Sequence, residues 1–423
     1  MAERKTLVNV VFCLFTRYPE AGKAKTRLAA TLGGDRAALL HREMTEHTLR
    51  ILGEACRTTG AGMQVRYTGA DECAMRVWLG NDVLLVEQGG GDLGARMERA
   101  IGDLFADGAK KVIIVGSDCP EITVRDLIEA CDLLDRHACV LGPATDGGYY
   151  LIGLSRPVPG LFDGIAWSTE HVLEQTLVRL ENSCGNHSAR GPDYAVLIPL
   201  SDVDRPEDVP ATISVIIPTL NEERTIAQLV RSALAAFRAE CIVVDGGSRD
   251  NTCENAAQAG ARVFSSVTGR AVQMNLGAAE AGGDFLLFLH ADSALPHDWA
   301  RAVRNLMRGQ IKIMGAFTFK LDANSWKARC VEWGVRFRCR AFSLPYGDQG
   351  FFLTRRFFEQ LGGFPVQPIL EDLALVRNVK RRGGKIRLAA SPLVTSARRW
   401  QKLGYAGTVF LNQCVLLAHT LGV

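Results

Sequence analysis

Two polar residues directly follow a strongly apolar run in FLLFLHADSALP, residues 285–296: they are His290 and Asp292. An apolar run of this kind predicts a buried strand. In open α/β sheets ligands bind beyond the carboxyl ends of the strands, so both side chains are well placed for chemistry. The alternative for Asp292 is structural, namely the capping of a following helix.

A second candidate site follows the first strand of the chain, in the loop FTRYPEAGKAKTRLA, residues 15–29. Cations and a glycine are concentrated there: Gly22, Lys23, Lys25 and Arg27. Side-chain cations and backbone N–H groups in such a loop can bind phosphate. The loop lacks the G-x-x-x-x-G-K-[ST] pattern, so it is not a P-loop. The alternative is a charged loop that is simply solvated.

The elements that would position these residues alternate between strands and helices in both halves. Apolar, β-branched runs such as LVNVVFCLF, KVIIVG, ISVIIP and CIVVD predict strands buried on both faces of a sheet. Helices are predicted over residues 36–57, 124–136, 169–180, 223–239 and 299–308. The predicted fold class is therefore α/β, with two tandem Rossmann-like domains of mostly parallel sheet flanked by helices.

The length of the chain also indicates two domains. A chain of 423 residues is too long for one ordinary core. The segment SDVDRPEDVPAT, residues 201–212, is rich in proline and acidic residues, and a new strand follows at once. It predicts domains at 1–205 and 212–423, joined by a short linker.

The charge is divided unevenly between these halves. From residue 211 onward, 27 Lys and Arg face 16 Asp and Glu, a net charge of +11, whereas the first 210 residues carry −8. The basic half is expected to face nucleotide phosphates or a membrane surface. Nucleic acid ranks last, because no nucleic-acid motif accompanies the charge.

The cysteines and the N-terminal sequence bear on the compartment. The twelve cysteines are scattered without C-x-x-C pairs, and their spacing is wrong for zinc. The apolar run over residues 10–15 is too short to be the core of a signal peptide. Free thiols in a reducing cytoplasm are therefore expected.

The order of motifs in the second half resembles the family-2 glycosyltransferases, which have the GT-A fold. The resemblance covers nearly all of residues 213–399, through IIPTLNEE, CIVVDGGSRDNT, GRAVQMNLGAAEAGGDFLLFLHADSALP and ILEDLALV. It implies that a nucleoside-diphosphate-sugar binds at the ends of the first two strands and beside the following helix. The residues implied are Pro218, Thr219, Asn221, Glu222, Asp245, Arg270 and Asn275.

The same resemblance implies a role for the pair at the end of the apolar run. The family has a D-x-D motif there, which binds a divalent cation, Mn²⁺ or Mg²⁺, that bridges the donor diphosphate. Asp292 matches the carboxylate that usually touches this metal. His290 departs from the motif. It is either a ligand, since imidazole suits Mn²⁺ better than Mg²⁺, or a hydrogen-bond partner of a phosphate or sugar.

Two further motifs lie on the acceptor side in this resemblance. Asp348 and Gln349, in LPYGDQGFF, stand between turn residues and a strand and are expected to face the sugar. Asp372, in ILEDLALV, matches the carboxylate that takes the proton of the acceptor hydroxyl during inverting, in-line transfer. The alternative is that Glu371 and Asp372 only complement a helix dipole.

The last basic motif is TSARRW, residues 395–400. Arg398 and Arg399 are expected to grip the donor diphosphate through bidentate contacts. In the alternative they face anionic lipid together with VKRRGGKIR, and the protein is peripheral to a membrane. The apolar tail after residue 404 contains Asn412, Gln413 and His419, which favours a packed or membrane-lying helix over a transmembrane span.

The first half resembles the sugar and cofactor nucleotidyltransferases, which have a GT-A-like fold, through GKAKTRL, VGSDCP and GPATDGGYYLIGL. This resemblance implies that Asp118 is a metal ligand and that Asp146 is a metal ligand or a sugar contact. The same motifs are similar to glycosyltransferases assigned to arsenosugar biosynthesis. HADS, LEDL and SARR are similar to the family-2 group that often accompanies them. The chain is therefore expected to be a fusion of the two.

Together these resemblances imply a metal-dependent glycosyltransferase. It would move a sugar from a nucleoside-diphosphate-sugar to a small-molecule or lipid-linked acceptor. The first half would make the donor or perform a second transfer. The alternative for the first half is a nucleotide-binding scaffold without catalytic activity.

Overall fold

The computed structural model describes residues 9–183, 192–367, 369–398, 400, 404–405 and 407–408. The chain separates into two compact units, Met1–Val209 and Pro210–Val423. This division falls within the proline-rich and acidic segment that was expected to be the linker.

The first unit alternates strands and helices around one sheet. In chain order the elements are β1 (Val10–Arg17), α1 (Thr26–Leu32), α2 (Gly34–Thr59), β2 (Gly62–Thr68), α3 (Glu72–Leu79), β3 (Leu84–Glu87), α4 (Leu93–Ala106), β4 (Lys111–Gly116), α5 (Val124–Leu133), β5 (Cys139–Pro143), β6 (Tyr149–Leu154), α6 (Val172–Ser183) and β7 (Tyr194–Val196). The described strands form the order β3-β2-β1-β4-β6-β5-β7, and only β6 among them is antiparallel to its neighbours. Leu14 and Val115 pair at the centre and are fully buried, because helices cover both faces of the sheet.

The second unit is built in the same way. Its elements are β8 (Ile213–Thr219), α7 (Ile226–Leu234), β9 (Ala239–Asp245), α8 (Thr252–Gln258), β10 (Arg262–Ser265), α9 (Arg270–Glu280), β11 (Phe285–Phe288), β12 (Ser293–Ala294), α10 (Trp299–Met307), β13 (Ile313–Leu321), α11 (Trp326–Phe342), β14 (Phe351–Thr354), α12 (Arg355–Leu361), α13 (Glu371–Arg381) and β15 (Lys385–Thr395). Over the described residues the sheet has the order β10-β9-β8-β11-β14-β13-β15-β12.

The two sheets share one connectivity. With the short β12 set aside, β1 to β7 correspond in turn to β8, β9, β10, β11, β13, β14 and β15. In each sheet one reversed strand, β6 or β14, lies between strands that point the opposite way. The start of the reversed strand therefore lies at the same edge as the carboxyl ends of the other strands. The predicted α/β fold with two mostly parallel sheets is confirmed.

All five predicted helices occur, with shifted boundaries. The largest error concerns residues 223–239, where α7 covers only Ile226–Leu234. The chain then turns through Arg238, whose φ is 53°, and enters β9 at Ala239. Helix α11 was not predicted, because apolar residues occur on both of its faces and obscure the helical period.

No described helix combines the length and apolarity that crossing a lipid bilayer requires. The expectation of a packed or membrane-lying helix concerns the tail from residue 404, of which only residues 404–405 and 407–408 are described.

Candidate active site

Asp292 and Asp348 come together at the carboxyl edge of the second sheet, although the chain between them is long. Ser293, next to Asp292, pairs with Thr395 at the end of β15. The hydroxyl of Thr395 donates to the backbone oxygen of Asp348 at 3.0 Å. The end of β15 therefore joins the segment after β11 to the 3₁₀ turn Gly347–Gln349 that precedes β14.

His290 and Asp372 both lie next to Gly347, in the turn that carries Asp348. The backbone N–H of Gly347 donates to Asp372 Oδ2 at 2.8 Å. A Cβ at Gly347 would lie 3.1 Å from His290 Nε2 and 3.4 Å from Asp372 Oδ2, so a residue without a side chain suits this close approach. Asp372 also accepts from Leu373 N at 2.7 Å, in the first turn of α13. That bond is the one expected if the carboxylate complements the helix dipole, so both interpretations of Asp372 fit its position.

Asp348 was expected to face the sugar, and its closeness to Asp292 and Asp372 was not predicted. Its Oδ1 is buried and has no hydrogen-bond partner among the described residues. Burial raises its pKa to about 6; Arg338 opposes the rise, and the nearby charges of Asp372 and Asp292 add to it. A buried carboxylate oxygen without a donor, close to two further carboxylates, is the arrangement that a cation would satisfy.

His290 is neutral in this environment. Burial and the Arg270 guanidinium lower its pKa to about 3. A neutral imidazole offers a lone pair, as a metal ligand must. Its chemistry thus fits cation binding, and it fits a hydrogen bond to phosphate or sugar equally well.

Arg270 and Arg398 extend the site on the side predicted for the nucleotide. Arg270 begins α9, and its Nη1 lies 4.0 Å from Glu371 Oε1. Arg398 follows β15, and its Nη1 lies 4.0 Å from Glu222 Oε2 in the loop after β8. Both guanidinium groups are largely exposed and can reach a ligand. Arg399 lies outside the described residues.

The loops after β8 and β9 hold each other in place. Pro218 and Thr219 end β8, and the buried Thr219 Oγ1 has no hydrogen-bond partner in the part of the chain described. Asn221, with φ 55°, accepts from Arg249 N at 2.9 Å. Asp245 Oδ2 accepts from the backbone N–H groups of Gly247 and Ser248, each at 2.9 Å. Asp245 therefore orders its own turn in this structure.

Two expected nucleotide-sugar contacts require correction. Gln349 is 1% exposed; its Nε2 donates to Phe317 O at 2.9 Å, and its Oε1 accepts from Tyr346 N at 3.2 Å. It stabilises the turn and does not face a sugar. Asn275 donates from Nδ2 to Phe364 O at 2.8 Å and accepts at Oδ1 from Phe364 N at 2.9 Å. Its amide clamps that backbone and is not directed at a nucleotide.

The first unit carries acidic residues at the matching points of its sheet. Asp118 follows β4 as Asp292 follows β11. Asp146 stands three residues before β6, as Asp348 stands three residues before β14. Carboxylate oxygens of Asp146, Asp202 and Asp204 lie within 4.8 Å of one another. Asp202 and Asp204, which lie in the segment after β7, were not predicted as part of this acidic group.

Asp118 is engaged with the phosphate-binding loop predicted in this unit. Lys25 Nζ lies 3.1 Å from Asp118 Oδ1 and 3.0 Å from Asp204 Oδ1, and its side chain is 7% exposed. This corrects the expectation that Lys25 is available to phosphate, because its ammonium group is buried and already paired with two carboxylates. His41 Nδ1, at 3.8 Å from Asp118 Oδ1, is buried without a hydrogen-bond partner among the described residues.

The exposed cations of the same loop are Lys23 and Arg27. Lys23 pairs with Glu20 at 2.8 Å, and Arg27 pairs with Asp204 at 2.8 Å. Gly22, with φ 77°, allows the tight turn between β1 and α1. The side chains of Lys23 and Arg27 remain accessible to a ligand.

The strand order, the reversed strand and the acidic edge define the class: both units have the GT-A fold found in nucleotide-diphospho-sugar transferases. Residues 214–361 match the family Glycosyl transferase family 2, and residues 51–169 match an uncharacterized protein family conserved in bacteria, DUF2064. The two matches lie one in each unit, and neither covers half of the chain.

Curated relatives match a fifth to a quarter of the chain. The 4,4'-diaponeurosporenoate glycosyltransferase of Staphylococcus haemolyticus is 37% identical over 109 residues, which are 23% of this chain and 29% of that protein. The glucosyl-3-phosphoglycerate synthase of Mycobacterium tuberculosis is 36% identical over 100 residues, 20% of this chain and 30% of that protein. The chain therefore spans less than a third of the length of these relatives.

Solved structures resemble about half of the chain. A Desulfovibrio desulfuricans G20 protein described as a nucleotide-diphospho-sugar transferase is 32% identical, with a TM-score of 0.44; the match covers 48% of this chain and 85% of that one. The M. tuberculosis glucosyl-3-phosphoglycerate synthase, in complex with Mn²⁺, UDP-glucose and phosphoglyceric acid, is 24% identical with a TM-score of 0.37. That match covers 47% of this chain and 76% of the synthase.

Proposed function

We propose that the second unit transfers a sugar from a nucleoside-diphosphate-sugar to an acceptor hydroxyl, with Asp372 as the base. The observation that carries this proposal is the convergence of Asp292, Asp348 and Asp372 beside His290, at the carboxyl edge of a family-2 domain. Ligands of open α/β sheets bind at this edge.

The chemistry assigned to the chain is a single displacement. The acceptor oxygen bonds to the anomeric carbon while the bond from that carbon to the diphosphate oxygen breaks. The nucleoside diphosphate leaves with the electron pair, and the acceptor proton passes to a carboxylate oxygen of Asp372. One displacement inverts the anomeric configuration. Gly347 N, bonded to Oδ2 at 2.8 Å, orients this carboxylate.

The cofactor is a divalent cation, Mn²⁺ or Mg²⁺, as is typical of glycosyltransferases with this fold. Asp292 and Asp348 would hold it, and His290 is the third group suited to bind it. When bound, the cation neutralises charge on the departing diphosphate. Asp348 thus supplies the second carboxylate that the sequence H-A-D lacks by comparison with D-x-D.

Donor and acceptor are assigned by class. Pro218, Thr219, Asn221, Glu222, Arg270 and Arg398 remain the predicted nucleotide-sugar contacts, and Asp245 contributes by ordering its turn. The acceptor is a small molecule or a lipid-linked molecule, and the two curated relatives are named for different molecules, a diaponeurosporenoate and a glucosyl-3-phosphoglycerate. An arsenosugar product, the fusion of two groups and a cytoplasmic location are parts of the proposal that rest on the sequence alone.

For the first unit we propose a nucleotidyltransferase-like site. Asp146 with Asp202 and Asp204 would hold a second cation, and burial together with the charge of Asp146 raises the pKa of Asp202, as expected for crowded carboxylates. Lys23 and Arg27 would contact phosphate. The alternative, a nucleotide-binding scaffold without activity, uses the same residues and differs only in whether a product is formed.

The test of the main proposal pairs ligand binding with turnover. A thermal-shift panel of nucleotide-sugars, with and without Mn²⁺, identifies the donor, since a ligand of the native state raises the melting temperature. Asp372→Asn is then expected to lower kcat by about 10²- to 10⁴-fold while donor binding persists. Glu359→Gln, an exposed carboxylate on α12, is the matched control. A product that retains the anomeric configuration, or an Asp372→Asn enzyme of wild-type kcat, would overturn the role of Asp372.

A further inference from the structure

Helix α11 exposes a stripe of aromatic residues to solvent. Trp326, Trp333 and Phe337 are 73%, 69% and 55% exposed, and Cys330 between them is exposed as well. At about 100° per residue these four positions fall within about 60° of the helix circumference. We call them the aromatic stripe. They form one continuous face, and the rings of Trp333 and Phe337 stack with centroids 5.9 Å apart.

Within the described part of the chain, α11 packs through the face opposite the stripe. The opposite face of α11 carries the buried residues Ala328, Glu332 and Cys339. Glu332 Oε1 accepts from Leu321 N at 3.0 Å and so ties α11 to the end of β13. The helix is thus held by its other face, while large apolar side chains remain in water. Exposed apolar surface concentrated in this way marks an interaction site.

The charge beside the stripe is strongly positive. Helix α11 has five basic residues and a single acidic one, Glu332, whose carboxylate is directed inward and accepts from Leu321 N and from Arg329 at 3.1 Å. On one flank of the stripe lie Arg329, Arg336 and Arg340, at helical spacing. Lys327 lies on the other flank, with its Nζ 5.9 Å from the Trp326 ring centroid.

We infer that the aromatic stripe docks on an anionic lipid surface. Helices that lie in the membrane interface combine Trp and Phe on one face with Lys and Arg beside it. Their rings enter the headgroup region, and each cation near the surface is attracted by the anionic lipid. A second copy of the chain fits less well, because a symmetric contact would oppose two faces of the same positive charge.

Helix α11, which carries this surface, also contacts the segment that precedes the candidate active site. Arg338, near the end of α11, donates from Nε to Leu344 O at 2.9 Å, and its guanidinium lies 3.5 Å from the Tyr346 ring centroid. Tyr346 precedes the turn that carries Asp348 and contacts Asp372. Docking would thus hold the acceptor side of the site near the membrane. This last consequence, unlike the docking itself, rests on the proposed function and favours a lipid-linked acceptor.

The experiment is co-sedimentation of the full-length protein with vesicles of phosphatidylcholine alone or mixed with phosphatidylglycerol. Binding is expected only with the anionic vesicles, and it should weaken as salt is raised. The double substitution Arg336→Gln and Arg340→Gln should weaken binding by about 30-fold, from about 1 kcal/mol for each cation. Trp333→Ser with Phe337→Ser should weaken it at least tenfold, and the emission shift of Trp on vesicles should diminish.

Matched controls alter the same chemistry elsewhere. Ile311→Ser with Val77→Ser removes exposed apolar side chains, and Arg308→Gln with Lys312→Gln removes exposed charges away from α11. Both controls should bind vesicles as the wild type does. Because all the substituted side chains of the stripe are exposed, circular dichroism and melting temperature should be unchanged, and Mn²⁺ affinity should be unchanged as well.

Four results would overturn the inference, and the first three concern the kind of surface that is bound. They are equal binding to neutral and anionic vesicles, vesicle binding that survives both α11 double substitutions, and a wild-type dimer that the stripe substitutions convert to monomer. A monomeric wild type that binds neither vesicle would be equally decisive against it. Conversely, a protein that binds vesicles through α11 but transfers no sugar would contradict the proposed function and leave the docking surface intact.

Discussion

The carboxylates at the edge of the second sheet differ in the hydrogen-bond donors that they have. Asp245 accepts hydrogen bonds from Gly247 N, Ser248 N and Ser248 Oγ, so its charge is balanced inside its own turn. Asp348 has a buried oxygen without a donor among the described residues, and Asp292 and Asp372 are close enough to raise its pKa. The first carboxylate stabilises the fold by itself, whereas the second is stabilised only when a ligand is present.

The pH dependence of stability should reveal the role of Asp245. Burial acts to raise its pKa, but hydrogen bonds from Ser248 and Gly247 hold the pKa below its ordinary value. The unfolded chain therefore takes up the proton first, so the stabilisation is complete above about pH 4 and is lost as the pH falls below it. Asp245→Asn should lower the free energy of unfolding by about 1.5–3 kcal/mol at pH 7, and by less in acid.

Urea unfolding at several pH values measures this difference. Asp322→Asn, which removes an exposed carboxylate from the same unit, is the control and should have little effect at any pH. A difference between wild type and Asp245→Asn that stays constant down to acid pH would contradict the assignment.

At the scale of elements, the pairing of β13 with β14 determines where the turn Gly347–Gln349 lies. Gly315 of β13 is opposite Phe352 of β14, and the Phe352 ring occupies the space above the glycine. A Cβ at Gly315 would lie 2.0 Å from Phe352 Cε2. Because Phe352 is fully buried, the ring has no free space into which it can move.

Gly315→Ala is therefore expected to destabilise the second unit by about 1–3 kcal/mol, since overpacking forces side chains or backbone to shift. Gly334→Ala is the matched control: nothing lies within 4 Å of its Cβ position, and alanine favours a helix. Chemical denaturation compares the two. Equal stability of both variants would show that the Phe352 ring can relocate at no cost.

At the scale of the molecule, two units of the same connectivity carry acidic residues at corresponding points. Asp118 and Asp292 follow corresponding strands, and Asp146 and Asp348 precede the reversed strands. The units differ in what surrounds these acids. In the first, Lys25 engages Asp118 and Asp204, whereas in the second Asp348 has an unpaired oxygen within the described chain.

Two cation sites in each chain are the expected consequence. Calorimetric or spectroscopic titration of the full-length protein with Mn²⁺ should give a stoichiometry near two. Asp348→Asn should abolish one site and Asp202→Asn the other, each without altering the affinity of the remaining one. If the wild type binds only one Mn²⁺, the variant that leaves this binding unchanged identifies the unit whose cation site was wrongly assigned. The control, Glu359→Gln, should retain both sites.

The features that depend on neighbouring residues in the chain could be predicted from the sequence. Apolar β-branched runs indicated the strands and the duplicated α/β fold, because a strand buried on both faces requires them. The strand ends indicated Asp292 and Asp118, and the resemblance to family-2 glycosyltransferases indicated Asp372. Helix α11 was not predicted, because prediction from sequence relies on an apolar face alternating with a polar one. A solvent-exposed face of Trp and Phe removes that amphipathic signal.

What the sequence by itself determined was the architecture and the edge of the sheet at which chemistry would occur. Which side chains are directed into that edge was decided only by the tertiary structure. Asp348 and Gln349 are adjacent, yet Gln349 is held by Phe317 O while Asp348 lies near Asp292 and Asp372. Lys25 was expected to bind phosphate, but in the structure it forms ion pairs with Asp118 and Asp204. The physical reason is that hydrogen bonds and ion pairs are formed by groups near in space, and the backbone path that brings them together is not a local property of the sequence.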